Sequence, residues 1–231
     1  METIVIPARF NGPRDSGNGG YASGIVAAHL EEPAEVNLRS PVPLDVPLGL
    51  VRDGALLRVL DGETLVAEAR ALPGLDLAVP DPVNLEQARS ASERYRASSD
   101  GVFSSCFVCG PAREDSFGVF AGQVEGRDLV ASPWTPPAWT AGDDGTVRPE
   151  FVWATLDCPT YFALHLEGEL TLSMLVRQSA ELRAPIRAGE EHVVIAWPIS
   201  ISGRKRLAGS AVLTPDGEIA AVAEALLIEP R

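Results

Sequence analysis

Apolar and polar positions follow two different periods along this chain, and the switches between them outline its elements. Residues 2–9 alternate weakly and predict a strand, ended by the loop signals Gly12-Pro13 and Gly17-Asn18-Gly19-Gly20. Tyr21 to Leu30 is small and apolar (Ala22, Ser23, Gly24, Ile25, Val26, Ala27, Ala28), the pattern of a smooth helix that can lie close to a sheet. Its glycine lowers helix propensity, so burial must supply the stability. Residues 34–48, 54–60 and 64–72 predict three strands, with turn residues at Asp53-Gly54 and Asp61-Gly62. Residues 81–100 open on Asp81-Pro82 and are polar and helix-prone from Leu85 to Arg96, as in a linker with a helical turn or more. Beyond it the pattern predicts a strand near 117–133, a helix near 150–166, and strands near 171–186, 191–202, 205–213 and 218–228. Thr214-Pro215-Asp216-Gly217 is a strong hairpin turn signal before the last of these.

The same order occurs twice. Gly17-Asn18-Gly19-Gly20-Tyr21, Val36-Asn37-Leu38-Arg39 and Ala67-Glu68-Ala69 in the first half correspond to Arg148-Pro149-Glu150-Phe151, Met174-Leu175-Val176-Arg177 and Ala223-Glu224-Ala225 in the second. The offset grows along the chain, as it does when one copy carries loop insertions. Two copies make a duplicated domain rather than a solenoid, which needs three or more stacked units. The expected organisation is a first unit over 1–80, a linker over 81–100 and a second unit over 101–231. A duplicated domain can divide one site between its halves.

Composition narrows the partners. Hydrophobic content of 45% over 231 residues is enough for a sizeable core. A net charge of −13 argues against nucleic acid, which needs a basic field. No run of eighteen apolar residues suggests a membrane span, and Met1-Glu2-Thr3-Ile4-Val5 does not read as a secretory signal. Three cysteines suggest no disulfide framework, so a reducing cytoplasm is the expectation.

With the element order established, three motifs resemble those of hotdog-fold acyl-CoA thioesterases. Asn18-Gly19-Gly20 before a small-residue helix is similar to the His-Gly-Gly helix start of that family, with asparagine in place of histidine. Cys106-Phe107-Val108-Cys109-Gly110-Pro111 resembles the Cys-Phe-x-Cys-Gly motif that precedes a hotdog unit. Val152-Trp153-Ala154-Thr155-Leu156-Asp157 resembles the helix that carries the catalytic acid. The resemblance implies an α+β double hotdog, two antiparallel sheets each wrapping a central helix. It also implies a small-molecule acyl-CoA or acyl-carrier thioester as partner, and no cofactor beyond the coenzyme A of the substrate. Oligomers of the double unit are expected, since sheet edges and faces need covering.

In that family a glycine N–H at the helix start polarises the thioester carbonyl, and the acid lies eight residues further along a helix. Counting back eight from Asp157 reaches Pro149, which has no N–H. Counting forward eight from Gly19 reaches Ala27, which has no acid. The resemblance therefore implies one composite site, with Gly19 and Asn18 as carbonyl polarisers, Gly20 beside the substrate and Asp157 as base or nucleophile. The mirror site is expected to be dead. A helix N-terminus suits an oxyanion, and burial would raise the pKa of Asp157. Taken alone, Asn-Gly-Gly is also a common turn, and Asp157, two residues before Pro159, also suits a helix end.

Other candidates are less distinctive. Arg204, Lys205 and Arg206 form the dense basic cluster of an acidic chain. They read either as a clamp for coenzyme A phosphates or as a solvated hairpin tip. Cys106 and Cys109 have zinc-knuckle spacing, with Cys158 further on. A structural zinc site wants four ligands, so no metal is expected and the cysteines read as small residues packed round a tight turn. Rival functions are an enoyl-CoA hydratase or dehydratase, pairing Asp157 with His165, and a non-catalytic acyl-CoA or lipid-binding module.

Overall fold

The strand order repeats outward from the centre of a single antiparallel sheet. A computed structural model describes residues 2–31 and 33–230; the domain limits at Met1 and Arg231 lie outside them. The first half contributes β1 (Thr3–Ile4), α1 (Gly19–Ala27), β2 (Ala34–Leu38), β3 (Leu48–Asp53), β4 (Leu56–Asp61) and β5 (Thr64–Ala71). After α2 (Leu85–Ser92) come β6 (Gly122–Gln123), β7 (Val130–Trp134), α3 (Pro149–Ala163), β8 (Met174–Leu182), β9 (His192–Ser202), β10 (Lys205–Leu213) and β11 (Ile219–Ile228). The order across the sheet is β1-β3-β4-β5-β2-β8-β11-β10-β9-β7-β6. From the centre, β2-β5-β4-β3-β1 is matched by β8-β11-β10-β9-β7. The duplication also shows in the loops. Short 3₁₀ turns at Ala8–Phe10 and Ala138–Thr140 precede isolated bridges Asn11↔Gly17 and Ala141↔Val147, then the helix starts Gly19 and Pro149.

The expectation of two separate sheets is corrected. Among the described residues the strands form one eleven-stranded sheet, joined where β2 pairs with β8 (Ala34↔Ala180, Glu35↔Ser179, Val36↔Gln178, Asn37↔Arg177). Each half alone would leave an edge strand with unpaired N–H and C=O groups, and each satisfies the other. Glu35 ties the seam: its carboxylate lies 3.0 Å from Arg70 of β5 and 3.5 Å from the Ser179 hydroxyl of β8.

Three strand expectations shift for local reasons. The run 34–48 is cut to β2, because Pro41, Pro43 and Pro47 cannot donate to a ladder and Asp45 adopts φ +56°. The ladder resumes in β3, over residues that the pattern left as a turn. Of residues 2–9 only β1 pairs, since Pro7 starts a 3₁₀ turn. The run 117–133 divides into β6 and β7 around Gly126 at φ +69°. The helix predicted near 150–166 forms as α3 and continues through Pro159 to Ala163.

One core lies between the sheet and the two helices and includes Ile6, Val26, Val36, Phe107, Phe151, Trp153 and Leu156. On the opposite face, Val83, Ala88 and Ala91 of the 81–100 region cover Val193, Ile195, Trp197 and Leu213. The capping box of Asn84 and Gln87 fixes the start of α2 there.

Helices α1 and α3 pack directly on each other, and two glycines set their spacing. A β-carbon at Gly20 would lie 2.6 Å from both the Asp157 Cβ and the Trp153 carbonyl oxygen. One at Gly24 would lie 2.5 Å from the Glu150 Cα. Gly20 and Gly24 are one turn apart and share a face, opposite Glu150, Trp153, Ala154 and Asp157 of α3. Without side chains in the way, the backbones reach a distance that any larger residue prevents.

Gly24→Ala tests this spacing. Helix propensity alone would make alanine stabilising by about 1 kcal/mol, whereas a clash with backbone costs about 1–3 kcal/mol. Urea denaturation should show a net loss of stability. Gly74→Ala, where the added carbon meets nothing within 4 Å, should change little.

Candidate active site

The start of α1 is held in place from three directions. Asn18 adopts an extended conformation and caps the helix, its Oδ1 accepting from the Tyr21 N–H at 2.8 Å. Its own N–H donates to the Phe10 carbonyl, and the Gly17 N–H donates to the Val42 carbonyl. The first N–H groups of a helix have no partner within it. Tyr21 gives its N–H to the cap and Gly20 gives its N–H to the Asp157 Oδ2 at 2.9 Å. Gly19, the first residue of the helix, has no acceptor among the described residues for its N–H and lines the adjoining cavity.

Asp157 stands in the middle of α3, opposite Gly20, and is 9% exposed. Burial away from water pushes its carboxyl up to about 7; the Gly20 N–H pulls the other way, and the neighbouring Cys106 adds to the rise. A carboxyl poised near neutrality is able to take and return a proton at physiological pH.

Gly19 and Asp157 line one cavity of about 310 Å³. Its walls are mainly apolar, from Val42 of the first half and Phe103, Tyr161, Phe162, Leu175 and Leu227 of the second. Two polar features escaped the sequence reading. Ser173 lines the cavity with a buried hydroxyl that has no hydrogen-bond partner among the described residues. Arg39, paired with Glu68 at 3.0 Å, is the one cation among the lining residues. Ser173, just before β8, carries no motif, and Arg39, just after β2, closes the repeated run Val36–Arg39, which gave no sign of a place in the cavity.

The cysteines meet here as well. Cys106, Cys109 and Cys158 are buried, line the cavity, and have sulfurs all within 4.8 Å of one another. Cys106 Sγ lies 3.7 Å from Cys158 Sγ. The Asn18 amide, turned by its capping bond, directs Nδ2 to these two sulfurs at 3.8 and 3.6 Å. Gly110 closes the cysteine turn through its N–H to the Cys106 carbonyl at 2.8 Å, and the Tyr95 hydroxyl donates to the Cys109 carbonyl. Thiols of Cys109 and Cys158 hold Cys106 well below the usual thiol range, and both are themselves pushed up by Cys106.

The remaining candidates lie elsewhere. Arg204 and Lys205 are exposed and Arg206 is half-buried at the β9–β10 turn, where Gly203 takes φ +57°. Arg204 donates to the Glu229 carbonyl and Arg206 pairs with the Glu229 carboxylate. None of the three lines the cavity. His165 turns away from it, bonded through Nδ1 to the Tyr161 carbonyl and through Nε2 to Thr171, so the pairing with Asp157 does not form. At the mirror position, Pro149 is the first residue of α3 and Ala27 is fully buried, so neither donor nor acid is present.

No family model matches the sequence, and no curated protein aligns with it. Among solved structures, a thioesterase superfamily protein matches 52% of this chain and 61% of its own, at 21% identity and TM-score 0.47. The chain thus spans about three fifths of that protein's length. A thioesterase from Haemophilus influenzae matches 48% of this chain and 78% of its own, at 16% identity and TM-score 0.43. Over nearly the whole length, the chain is similar to the tesB protein of Mycobacterium avium subs paratuberculosis. That match covers 95% of this chain and 89% of the other, at 14% identity and TM-score 0.59. Over 95% of its length the chain therefore shares that protein's fold, in line with the hotdog architecture expected from the sequence.

Proposed function

We propose that this protein hydrolyses the thioester of an acyl-CoA or acyl-carrier substrate at one composite site between its halves. The observation that carries this reading is one apolar cavity lined both by Gly19, whose helix N–H has no acceptor among the described residues, and by Asp157, whose buried carboxyl is raised to about 7. The Gly19 N–H receives the thioester carbonyl oxygen and stabilises the negative charge that grows on it, aided by the positive end of the α1 dipole. Asp157 acts as general base on water or as nucleophile through an acyl anhydride. Either route forms a C–O bond, breaks the C–S bond and returns a proton to the departing thiolate. Asn18 orients Gly19 by capping the helix. The Ser173 hydroxyl offers a further contact inside the cavity, and Arg39 suits a phosphate-bearing thiol carrier. The cavity is at the lower end of the ~300–1,000 Å³ typical of small-molecule sites, which favours a short acyl group.

A proline at position 19 isolates the oxyanion donor. Asn18 already has ψ 130°, which a following proline requires, and proline is well tolerated as the first helical residue. Gly19→Pro should keep its circular dichroism and lose about 100-fold in kcat. Gly19→Ala keeps the N–H and meets mainly the flexible end of Leu175, so it should lose far less. Thiol release from a panel of acyl-CoA esters measures both. Equal losses in the two variants would remove Gly19 from the chemistry.

The pH dependence follows from Asp157. The ionised carboxylate does the work, so kcat/KM should rise with pH and level off above about 7. Asp157→Asn should abolish thiol release. Turnover of crotonyl-CoA without thiol release would point to a hydratase, and binding without turnover to a carrier module.

The same shift predicts a stability change. Burial disfavours the charged form, so the wild type loses stability as pH climbs from about 4, where an unfolded aspartate ionises, to about 7. Asp157→Asn should therefore raise Tm at about pH 8 and leave it nearly unchanged near pH 4. Thermal melts at the two pH values check this.

A further inference from the structure

Two cysteines of one loop and a third from α3, about fifty residues further on, surround one point on the cavity wall. Cys106 and Cys109 sit on a loop fixed by Asn11, whose Nδ2 donates to the Ser105 carbonyl at 3.1 Å, and by Tyr95. Cys158 projects from α3 beside Asp157. Zinc–thiolate bonds of about 2.3 Å place two sulfurs of a tetrahedral site about 3.8 Å apart. The Cys106–Cys158 separation of 3.7 Å already has that value. The other separations are at most 4.8 Å, so closing on an ion needs side-chain movement of about 1 Å or less.

The surroundings suit anionic sulfur. The Asn18 Nδ2 faces both Cys106 and Cys158, and its orientation is fixed because Oδ1 caps Tyr21. An amide that donates to ligating sulfurs stabilises thiolates and holds their direction. The nearby start of α1 adds a positive dipole end. Asn18 is not itself a ligand in this orientation, so the protein supplies three donors and the fourth position opens to the cavity.

We infer that Cys106, Cys109 and Cys158 form a three-thiolate site for a zinc ion, with the fourth position open to water or to a donor atom of the cavity's ligand. Three soft sulfurs select zinc over magnesium or calcium. Binding converts the three thiols to thiolates and releases their protons to solvent, so affinity rises with pH. The inference rests on the sulfur geometry and stands whether or not the protein hydrolyses thioesters.

Cobalt(II) as a probe of the full chain tests it. Reduced, chelator-treated protein should develop a thiolate-to-cobalt charge-transfer band in the near ultraviolet, with a tetrahedral visible spectrum. Both should saturate at one ion per chain and be displaced by zinc. Cys109→Ser and Cys158→Ser should each weaken the band and lower affinity at least tenfold. Asn18→Ser keeps a helix-capping oxygen but removes the amide donor and should lower affinity by about tenfold. Asp157→Asn keeps all three sulfurs and should give the wild-type spectrum even as thiol release stops, which separates this inference from the catalytic reading. The wild-type titration is decisive even if a cysteine variant fails to fold. Absence of the charge-transfer band, saturation well above one ion per chain, or a Cys106–Cys158 disulfide that persists in reductant overturns the site.

Discussion

The close contact of α1 and α3 is the constraint on which the site depends. Two helices meet with backbone nearly touching backbone because Gly20 and Gly24 present no side chain to Trp153, Ala154 and Glu150. That contact does two things at once. It buries a carboxyl far enough from water to raise its proton affinity, and it puts a helix N–H in reach to keep the carboxyl oriented. A larger residue on that face would push the acid away from the donor and let water in. Packing and chemistry are here the same interaction, and for that reason the glycines are as much part of the site as the aspartate.

Much of the architecture was legible from periodicity. The strands β9, β10 and β11 and the helix α3 fall where the pattern puts them, because each is bounded by strong turn residues or a long apolar run. The misplacements have specific causes. Proline spacing in 39–47 leaves apolar residues in a strand-like pattern while removing the donors a ladder needs, so Leu38 ends β2. The union of the two sheets has no sequence sign of its own. It arises from backbone groups on β2 and β8, and any pair of suitable edge strands would read alike.

The site divides in the same way. Gly19, Asn18 and Asp157 carry a motif, and they line one cavity. The Gly20 N–H meets Asp157, a contact the motif did not specify, while the Gly19 N–H, expected to face the substrate, has no acceptor among the described residues. Counting along a motif gives the helix turn but not which of two adjacent amides faces the partner helix. The convergence of Cys106 and Cys109 with Cys158 was hidden by a separation of about fifty residues, and by a rule that looks for four ligands. Ser173 carries no pattern, and the repeat that holds Arg39 does not point to the cavity, since both places follow from pairing register and loop path.

The seam between β2 and β8 has a consequence for how the chain is made. The β2 strand is complete once the first half leaves the ribosome, but its partner lies some 140 residues later. At ~5–20 residues per second, that strand waits on the order of ten seconds with one row of amides and carbonyls bare. During that interval a neighbouring nascent chain offers an identical edge. Glu35 puts a charged side chain on this margin, a feature that discourages pairing between exposed edges until the proper mate arrives.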